Sequence, residues 1–335
     1  MFHRLTTLVA DVRSRANASV AIDRALRDPR LLLRYIRRTG SSAWIRAVFD
    51  TRREYEQLAS EVRESGLIEE LQRGLGDAFA GLSGSTVRGA GYVDGAMKIG
   101  HVLALYAVVR KRRPAVVLET GVCNGFSTAI LLEGLRRNDT GHLYSVDLPE
   151  VAGDIDGGRQ FWSGKGGAVV PPDRPSGWLV PEQLQDRWTL CLGRSTAVLP
   201  GLVNRLGQID LFIHDSEHSL ENQMFEFRLA WQHLCPGGLL AASDINCSPA
   251  FLQFCEEIRD AGHVYFVDDG LAFMVKGHEA RPHTARTNRG NTFAASFWWQ
   301  LLFLLWVGVV SALYYRQFSD LVLARFPAVR SWWPW

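Results

Sequence analysis

The chain has 335 residues, 47% of them hydrophobic, so it is long enough to bury a sizeable core. Its formal net charge of only +2 argues against a protein whose whole surface binds nucleic acid. Its five cysteines form no CxxC pair and no Cys/His spacing typical of a metal site, so we expect reduced thiols. This composition predicts one large domain with further segments at both ends.

The first 50 residues are basic, with ten arginines against four aspartates. Apolar residues recur there at helical intervals, which predicts a basic helical segment. A solvated helical face is favoured slightly over contact with an anionic membrane. Charged helical patterns continue through 52–64 and 68–75, and a Gly/Ser-rich stretch at 81–91 follows. We therefore predict a basic helical N-terminal region over residues 1–90.

From residue 91 onwards, short apolar runs alternate with helical patterns, which is typical of a parallel α/β sheet. The candidate strands are 116–119, 142–147, 188–193, 209–215 and 238–244, followed by a hairpin of 264–267 and 271–275. An insertion at 150–186 carries glycine and proline pairs and is interpreted as a lid or binding loop. The expected fold is Rossmann-like, with a mostly parallel seven-stranded sheet and helices on both faces.

Polar residues end these strands, at the edge where open parallel sheets bind ligands. Glu119, Gly121 and Gly125 follow the first strand, and glycines there allow a tight turn and a close approach to a ligand. Asp147 ends the second strand, where a carboxylate can accept hydrogen bonds from ribose hydroxyls. These features fit both nicotinamide-dependent oxidoreductases and methyltransferases that use S-adenosylmethionine.

The glycine spacing distinguishes these two classes. A dinucleotide fingerprint starting at Gly121 needs glycines where the chain has Cys123 and Phe126, so an oxidoreductase is disfavoured. Residues 119–125, Glu-Thr-Gly-Val-Cys-Asn-Gly, instead resemble the acidic-x-Gly-x-Gly-x-Gly loop of class I methyltransferases. Cys123 stands in place of the central glycine of that pattern.

Longer stretches extend the resemblance over about residues 90–276. VLETGVCNG (117–125), LYSVDLP (143–149), WLVPEQLQDRWTLCLG (178–193) and residues 210–244 occur in family order. The chain resembles class I S-adenosylmethionine-dependent methyltransferases of the group with macrocin-type sugar O-methyltransferases and proteins labelled cephalosporin hydroxylase. The resemblance implies a methyltransferase domain at 91–278 and S-adenosylmethionine as cofactor. It also implies which residues bind this cofactor: Glu119, Gly121 and Gly125 at its methionine end, Asp147 at its ribose and Ser195 near its adenine.

A second polar cluster follows the fourth predicted strand, where Asp215 and His218 are three residues apart. In metal-dependent sugar O-methyltransferases of the resembled group, an Asp here binds magnesium and a His acts as general base, with further acidic ligands after the fifth strand. The resemblance therefore implies Asp215 and His218 as catalytic residues, and Asp215 with Asp244 as ligands of an optional Mg²⁺ ion. An imidazole also titrates near neutral pH, as deprotonation of a hydroxyl requires. The alternatives are a loop or cap role for His218 and helix N-caps for Asp215 and Asp244.

Residues 293–315 contain no charged side chain and are about long enough to cross a bilayer core. We therefore predict a transmembrane helix there, with a linker at 279–292 before it and a short Trp/Arg tail at 316–335 after it. Because S-adenosylmethionine is made in the cytosol, the expected protein is single-pass with its catalytic domain facing the cytoplasm. Its acceptor is then expected to be a small molecule or a sugar or lipid-linked glycan hydroxyl, with no nucleic acid partner. A non-catalytic methyltransferase-like scaffold stays an alternative, and the oligomeric state stays open.

Overall fold

The computed structural model describes residues 43–80, 94–151, 168–268 and 270–277. Its first three helices are α1 (Ala43–Val48), α2 (Arg52–Arg63) and α3 (Leu67–Ala80). The hydroxyl of Thr51 caps α2 by accepting a hydrogen bond of 3.1 Å from the backbone N–H of Glu54. The helices predicted within 52–75 are thus confirmed, whereas the basic segment before residue 43 lies outside the described residues.

Helices and strands then alternate as the sequence predicts. They are α4 (Ile99–Arg112), β1 (Val116–Thr120), α5 (Phe126–Asn138), β2 (His142–Asp147), β3 (Glu150–Val151), β4 (Val169–Val170), a 3₁₀ helix (Glu182–Arg187), β5 (Trp188–Leu192), α6 (Ser195–Leu206), β6 (Ile209–His214), α7 (Leu220–His233), β7 (Leu234–Ser243), α8 (Ala250–Glu257), β8 (Gly262–Phe266) and β9 (Leu271–Lys276).

Seven of these strands form one sheet in the order β5-β2-β1-β6-β7-β9-β8. The first five are parallel, and β9 is antiparallel to both of its neighbours. The predicted seven-stranded, mostly parallel sheet is therefore confirmed. β7 begins at Leu234, four residues before the predicted start at 238. The sequence suggested the later start because Pro236, Gly237 and Gly238 are residues that strands usually avoid.

The sheet is covered on both faces, as predicted. One apolar cluster packs the five helices α1–α5 on one face of the sheet. The other packs α6, α7 and α8 on the opposite face. Alternate strand residues supply the two clusters, so Val117 belongs to the first and Leu118 to the second. Trp44, Val62 and Leu71 are buried in the first cluster, so residues 43–80 share the core of the sheet. The domain boundary near residue 90 stays a prediction.

The insertion between β2 and β5 contains more regular structure than the sequence predicts. Its two ends pair as the short parallel strands β3 and β4, with Glu150 opposite Val169. A 3₁₀ helix closes the insertion immediately before β5. Residues 152–167 lie outside the described part of the chain.

Within the described ranges, no helix is both long enough and apolar enough to cross a membrane. The predicted transmembrane helix at 293–315, the linker before it and the tail after it all lie outside those ranges. The membrane anchor accordingly stays a prediction from the sequence.

Substitution of Gly121 should destabilise the fold strongly. Gly121 has φ +87°, and an added Cβ would lie 2.2 Å from the backbone oxygen of Asp215. Left-handed backbone and a packing clash each cost about 1–3 kcal/mol, so we expect Gly121→Ala to lower the free energy of unfolding by about 2–5 kcal/mol. Urea denaturation measures this loss.

Substitutions at two other glycines distinguish the cost of left-handed backbone from the cost of the packing clash. Gly66 has φ +80° with open space around it, so Gly66→Ala should cost only about 1–2 kcal/mol. Gly76 lies in α3 with open space and should gain about 0.5–1 kcal/mol on replacement by Ala. Equal losses at Gly121 and Gly66 would contradict the close approach of β1 and the loop after β6.

Candidate active site

The polar residues predicted at strand ends lie at one edge of the sheet. β1 pairs in parallel with β2 and β6, and β6 pairs in parallel with β7, so their carboxyl ends meet there. Backbone hydrogen bonds continue past the strands, from Gly121 N to Val146 O (2.9 Å) and from Asp215 N to Thr120 O (2.9 Å). Asp147 is the last residue of β2, and Asp244 directly follows β7.

Glu119 is fully buried and bonded inside the protein. Its carboxyl group accepts hydrogen bonds from the hydroxyls of Ser127 (2.9 Å), Thr128 (2.8 Å) and Ser145 (2.9 Å). Burial raises the pKa of Glu119 to about 7, although these hydroxyls oppose the shift. The side chain therefore ties β1 to the start of α5 and to β2. Its predicted contact with a cofactor stays a prediction.

The glycine loop has a left-handed residue at every second position. Gly121, Cys123 and Gly125 have φ values of +87°, +49° and +92°. These are the three positions where the resembled loop pattern has glycine. Cys123 thus preserves the backbone conformation at a cost of about 1–2 kcal/mol. Burial raises the pKa of its thiol far above the ordinary range, so the thiol is not a nucleophile.

Residues 175–180, which we call the strap, pack on this loop. Gly177 N donates to Cys123 O (2.8 Å), and Leu179 N donates to Asn124 O (3.0 Å). A Cβ at Gly125 would lie 2.9 Å from Cα of Gly177, so the loop and the strap touch through their backbones. The strap fixes the loop, and the role of the whole insertion as a lid stays a prediction.

Asp147 lies where the sequence predicts it, at the carboxyl end of β2. Its carboxylate accepts hydrogen bonds from Val122 N and Cys123 N, both 3.2 Å long, and from the hydroxyl of Ser176 in the strap. Burial raises the pKa of Asp147, and these hydrogen bonds oppose that shift. The carboxylate thus holds the glycine loop, and its contact with a ribose stays a prediction.

Asp215, His218 and Asp244 come together, as predicted. One potential metal-ligand atom from each residue lies within 4.8 Å of the other two, and His218 Nε2 is 3.4 Å from Asp244 Oδ2. Burial and then the charge of Asp244 raise the pKa of Asp215 well above its ordinary range. Two carboxylates this close repel each other unless a proton or a cation lies between them.

His218 supplies the imidazole of this cluster. Burial, followed by the nearby His214, lowers the pKa of His218 to about 4, so its imidazole is neutral. Its Nδ1 atom is buried and has no hydrogen-bond partner among the described residues. A neutral imidazole can accept a proton or bind a metal ion.

The helix-cap alternative for the two aspartates is wrong. Ser219 caps α7 by accepting a hydrogen bond from Asn222 N (3.2 Å). Ser248 accepts one from Ala250 N (3.1 Å) at the start of α8. Asp215 and Asp244 are therefore not engaged as caps, and Asp244 lies in a left-handed conformation with φ +48°. Such strain is most common at functional sites.

Behind this cluster lies a buried polar network that the sequence analysis missed. Glu226 has no exposed surface and accepts hydrogen bonds from Thr120 Oγ1 (2.6 Å), His214 Nδ1 (2.7 Å), Ser216 Oγ (2.8 Å) and Asn222 Nδ2 (2.9 Å). Although burial raises its pKa, the charge and hydrogen bond of His214 lower it overall. One signal was present in the sequence: Glu226 lies one residue before Phe227, on the stripe of α7 that faces the core.

Ser195 belongs to the same network. It is the first residue of α6, and its hydroxyl donates to Asn222 Oδ1 (2.9 Å). The structure therefore places Ser195 at the correct edge of the sheet, bonded to α7. Its predicted position near an adenine stays a prediction.

Comparison with known proteins gave a family match for the central part of the chain. Residues 118–245 match the family model of a methyltransferase domain. A comparison with curated proteins gave no match.

Several solved structures are similar to this chain. The O-methyltransferase TomG from Streptomyces achromogenes, in complex with S-adenosylmethionine, is 16% identical, covers 55% of this chain and 82% of its own, and has a TM-score of 0.41. An O-methyltransferase from Bacillus cereus, in complex with S-adenosylhomocysteine, is 16% identical. The match covers 66% of this chain and 99% of that protein, with a TM-score of 0.41. The MycE methyltransferase of the mycinamycin biosynthetic pathway, in complex with Mg and S-adenosylhomocysteine, is 18% identical. The match covers 56% of this chain and 51% of that protein, with a TM-score of 0.37.

The raised pKa of Glu119 predicts a pH-dependent contribution to stability. An acid whose pKa rises from 4.5 to about 7 on folding stabilises the protein fully below pH 4.5, and the effect is lost as pH rises through 7. The Gln in Glu119→Gln is uncharged at every pH. The unfolding free energy of wild type minus that of the variant should therefore fall by on the order of 3 kcal/mol between pH 4.5 and 8. Denaturant titrations across this pH range measure the difference, and a constant value would contradict the buried, protonatable carboxyl.

Proposed function

We propose that the chain is a class I methyltransferase that methylates a hydroxyl oxygen using S-adenosylmethionine, because residues 118–245 match the family model of a methyltransferase domain. One observation carries the proposal of a hydroxyl acceptor. A neutral imidazole, His218, lies beside the paired carboxylates of Asp215 and Asp244 at the edge of the sheet that also carries the glycine loop. A base next to two acidic groups is suited to deprotonating and orienting a hydroxyl.

The residues at this edge fit the cofactor. When bound, S-adenosylmethionine supplies an electrophilic methyl group, whose bond to sulfur breaks as the acceptor oxygen bonds to the methyl carbon. We propose that Asp147, at the end of β2, accepts from ribose hydroxyls in addition to the loop N–H groups that it holds. We propose that Glu119, Gly121 and Gly125 lie at the methionine end and that Ser195 lies near the adenine.

His218 would accept the proton of the acceptor hydroxyl as the oxygen attacks, and the neutral product would leave as the methyl ether. General base catalysis contributes about 10²–10⁴-fold in rate. The larger contribution would come from holding the oxygen in line with the methyl group and its sulfur. The loops that carry the cluster and the glycines are both fixed by buried hydrogen bonds, which favours such positioning.

Asp215 and Asp244 also fit a divalent cation. Each offers a carboxylate oxygen within 4.8 Å of the other ligand atoms, and a cation would remove the repulsion that raises the pKa of Asp215. Magnesium prefers oxygen ligands and keeps several waters, so two carboxylates suffice for a site of modest affinity. Bound there, the ion would polarise the acceptor oxygen. We propose Mg²⁺ as an optional second cofactor.

For the acceptor, we propose a sugar or lipid-linked glycan hydroxyl reached at a membrane surface from the cytoplasmic side. Two features support this: the resemblance of residues 210–244 to sugar O-methyltransferases, and the uncharged segment 293–315. An acceptor on a membrane lipid would be close to an anchored enzyme.

Replacement of His218 tests the proposed chemistry. Isothermal titration of the purified protein should show binding of S-adenosylmethionine but not NADH. Isotope-labelled methyl transfer to a panel of sugar and glycan acceptors should fall about 10²–10⁴-fold in His218→Ala, with cofactor binding retained. His263→Ala is the matched control, because His263 is exposed on the edge strand β8. Cofactor binding with no transfer in either protein would favour a non-catalytic scaffold.

The membrane anchor has its own test. After detergent-free lysis, the full-length chain should pellet with membranes, resist extraction by high salt and be released by detergent, because a span of this length buries about twenty apolar residues. A variant with Leu304→Arg and Leu305→Arg should move towards the soluble fraction. Recovery of all the wild-type protein in the soluble fraction would contradict the anchor.

A further inference from the structure

The three residues of the cluster lie on two separate loops. Asp215 and His218 belong to the loop after β6, and Asp244 belongs to the loop after β7. The two strands pair in parallel up to His214 and Ala242, so their ladder ends before either loop begins. Asp215 and Asp244 are each the first residue after their strands, so the strands bring them together, and contacts beyond the strands fix the rest of each loop.

A chain of buried side chains connects α7 to the second loop. His214 Nδ1 donates to Glu226 Oε2 (2.7 Å), and the amide nitrogen of Gln223 lies 3.1 Å from His214 Nε2. The hydroxyl of Ser248, on the second loop, donates to Gln223 Oε1. His214, Gln223 and Glu226 have no exposed surface.

Glu226 also holds the first loop. Its Oε1 atom accepts from Ser216 Oγ (2.8 Å) and from Asn222 Nδ2 (2.9 Å). The same amide of Asn222 donates to the backbone oxygen of Glu217 (3.1 Å). The ring of His214 meets that of His218 edge-on, with centroids 5.4 Å apart and an interplanar angle of 78°. One buried carboxylate is thus bonded to one loop directly and to the other through His214 and Gln223.

We propose that His214, Gln223 and Ser248 are positioning residues, which hold Asp244 at the distance from Asp215 and His218 that the reaction needs. None of the three belongs to the Asp215, His218 and Asp244 cluster, so each acts through those residues. This inference rests on the proposed function. Outer partners of this kind typically change activity or metal affinity by about 10–100-fold when removed.

Ser248 offers the sharpest test, because its hydroxyl is the last link to the second loop. Ser248→Ala removes the link, and Ser248→Thr retains a hydroxyl. With saturating acceptor, kcat should fall about 10-fold in Ser248→Ala and recover towards wild type in Ser248→Thr. KM for S-adenosylmethionine should change less than about twofold, because Asp147 and the glycine loop are untouched.

Thr51→Ala is the control for lost stability. Ser248 also accepts from Ala250 N, so its removal loses a hydrogen bond of about 1 kcal/mol at the start of α8, similar in size to the loss of the Thr51 cap at α2. A merely structural role for Ser248 would give Ser248→Ala and Thr51→Ala the same kcat after correction for the folded fraction. Gln223→Met provides a second variant, which breaks the link to His214 as well, and its kcat should fall about 10–100-fold.

Binding of Mg²⁺ alone, measured by calorimetry, gives a readout that does not need turnover. Its Kd should rise about 10-fold in Ser248→Ala and return towards the wild-type value in Ser248→Thr. Methyl transfer in the wild type with unchanged kcat and Mg²⁺ affinity in Ser248→Ala and Gln223→Met would overturn the inference alone. A wild type with neither transfer nor Mg²⁺ binding would overturn the proposed function and, with it, the inference.

Discussion

Burial of carboxylates at the carboxyl edge of the sheet is the constraint on which the site depends. Removing an ionised carboxylate from water costs several kcal/mol unless hydrogen-bond donors or a partner charge compensate. Glu119 and Glu226 have no exposed surface there, and each receives at least three side-chain hydrogen bonds. Every donor must stay in place, so the loops and helix starts that carry the donors are fixed together.

The buried carboxylates of Glu119 and Glu226 are stabilised by different donors, and each supports a different half of the site. Around Glu119 the donors are hydroxyls, and the pKa of this carboxyl is raised to about 7. Around Glu226 an imidazole and an amide join the hydroxyls, and its pKa is lowered. The first arrangement anchors the start of α5 to β1 and β2; the second anchors the loop that carries Asp215 and His218. The proposed cofactor side and the proposed acceptor side thus have separate supports.

The sequence predicted the elements with strong local signals. Apolar runs rich in β-branched residues gave the strands, and their polar last residues gave the edge that carries Asp147, Asp215 and Asp244. It could not predict the pairing of Glu226 with His214, because a strand residue and a helix residue twelve positions apart show no pattern that pairs them. The strap was missed for a similar reason: it reaches Cys123 and Asn124 through backbone hydrogen bonds and through Trp178 Nε1, from positions at least 54 residues further along the chain.

A crystal structure with bound S-adenosylhomocysteine would be the most direct test, because the proposed cofactor site and the proposed chemistry lie at one edge of the sheet. We expect the ribose hydroxyls within hydrogen-bond distance of Asp147, and the sulfur on the side of the glycine loop that faces Asp215 and His218. A cofactor bound at another edge, or one whose sulfur is separated from His218 by the strap, would contradict the proposed methyl transfer at this site.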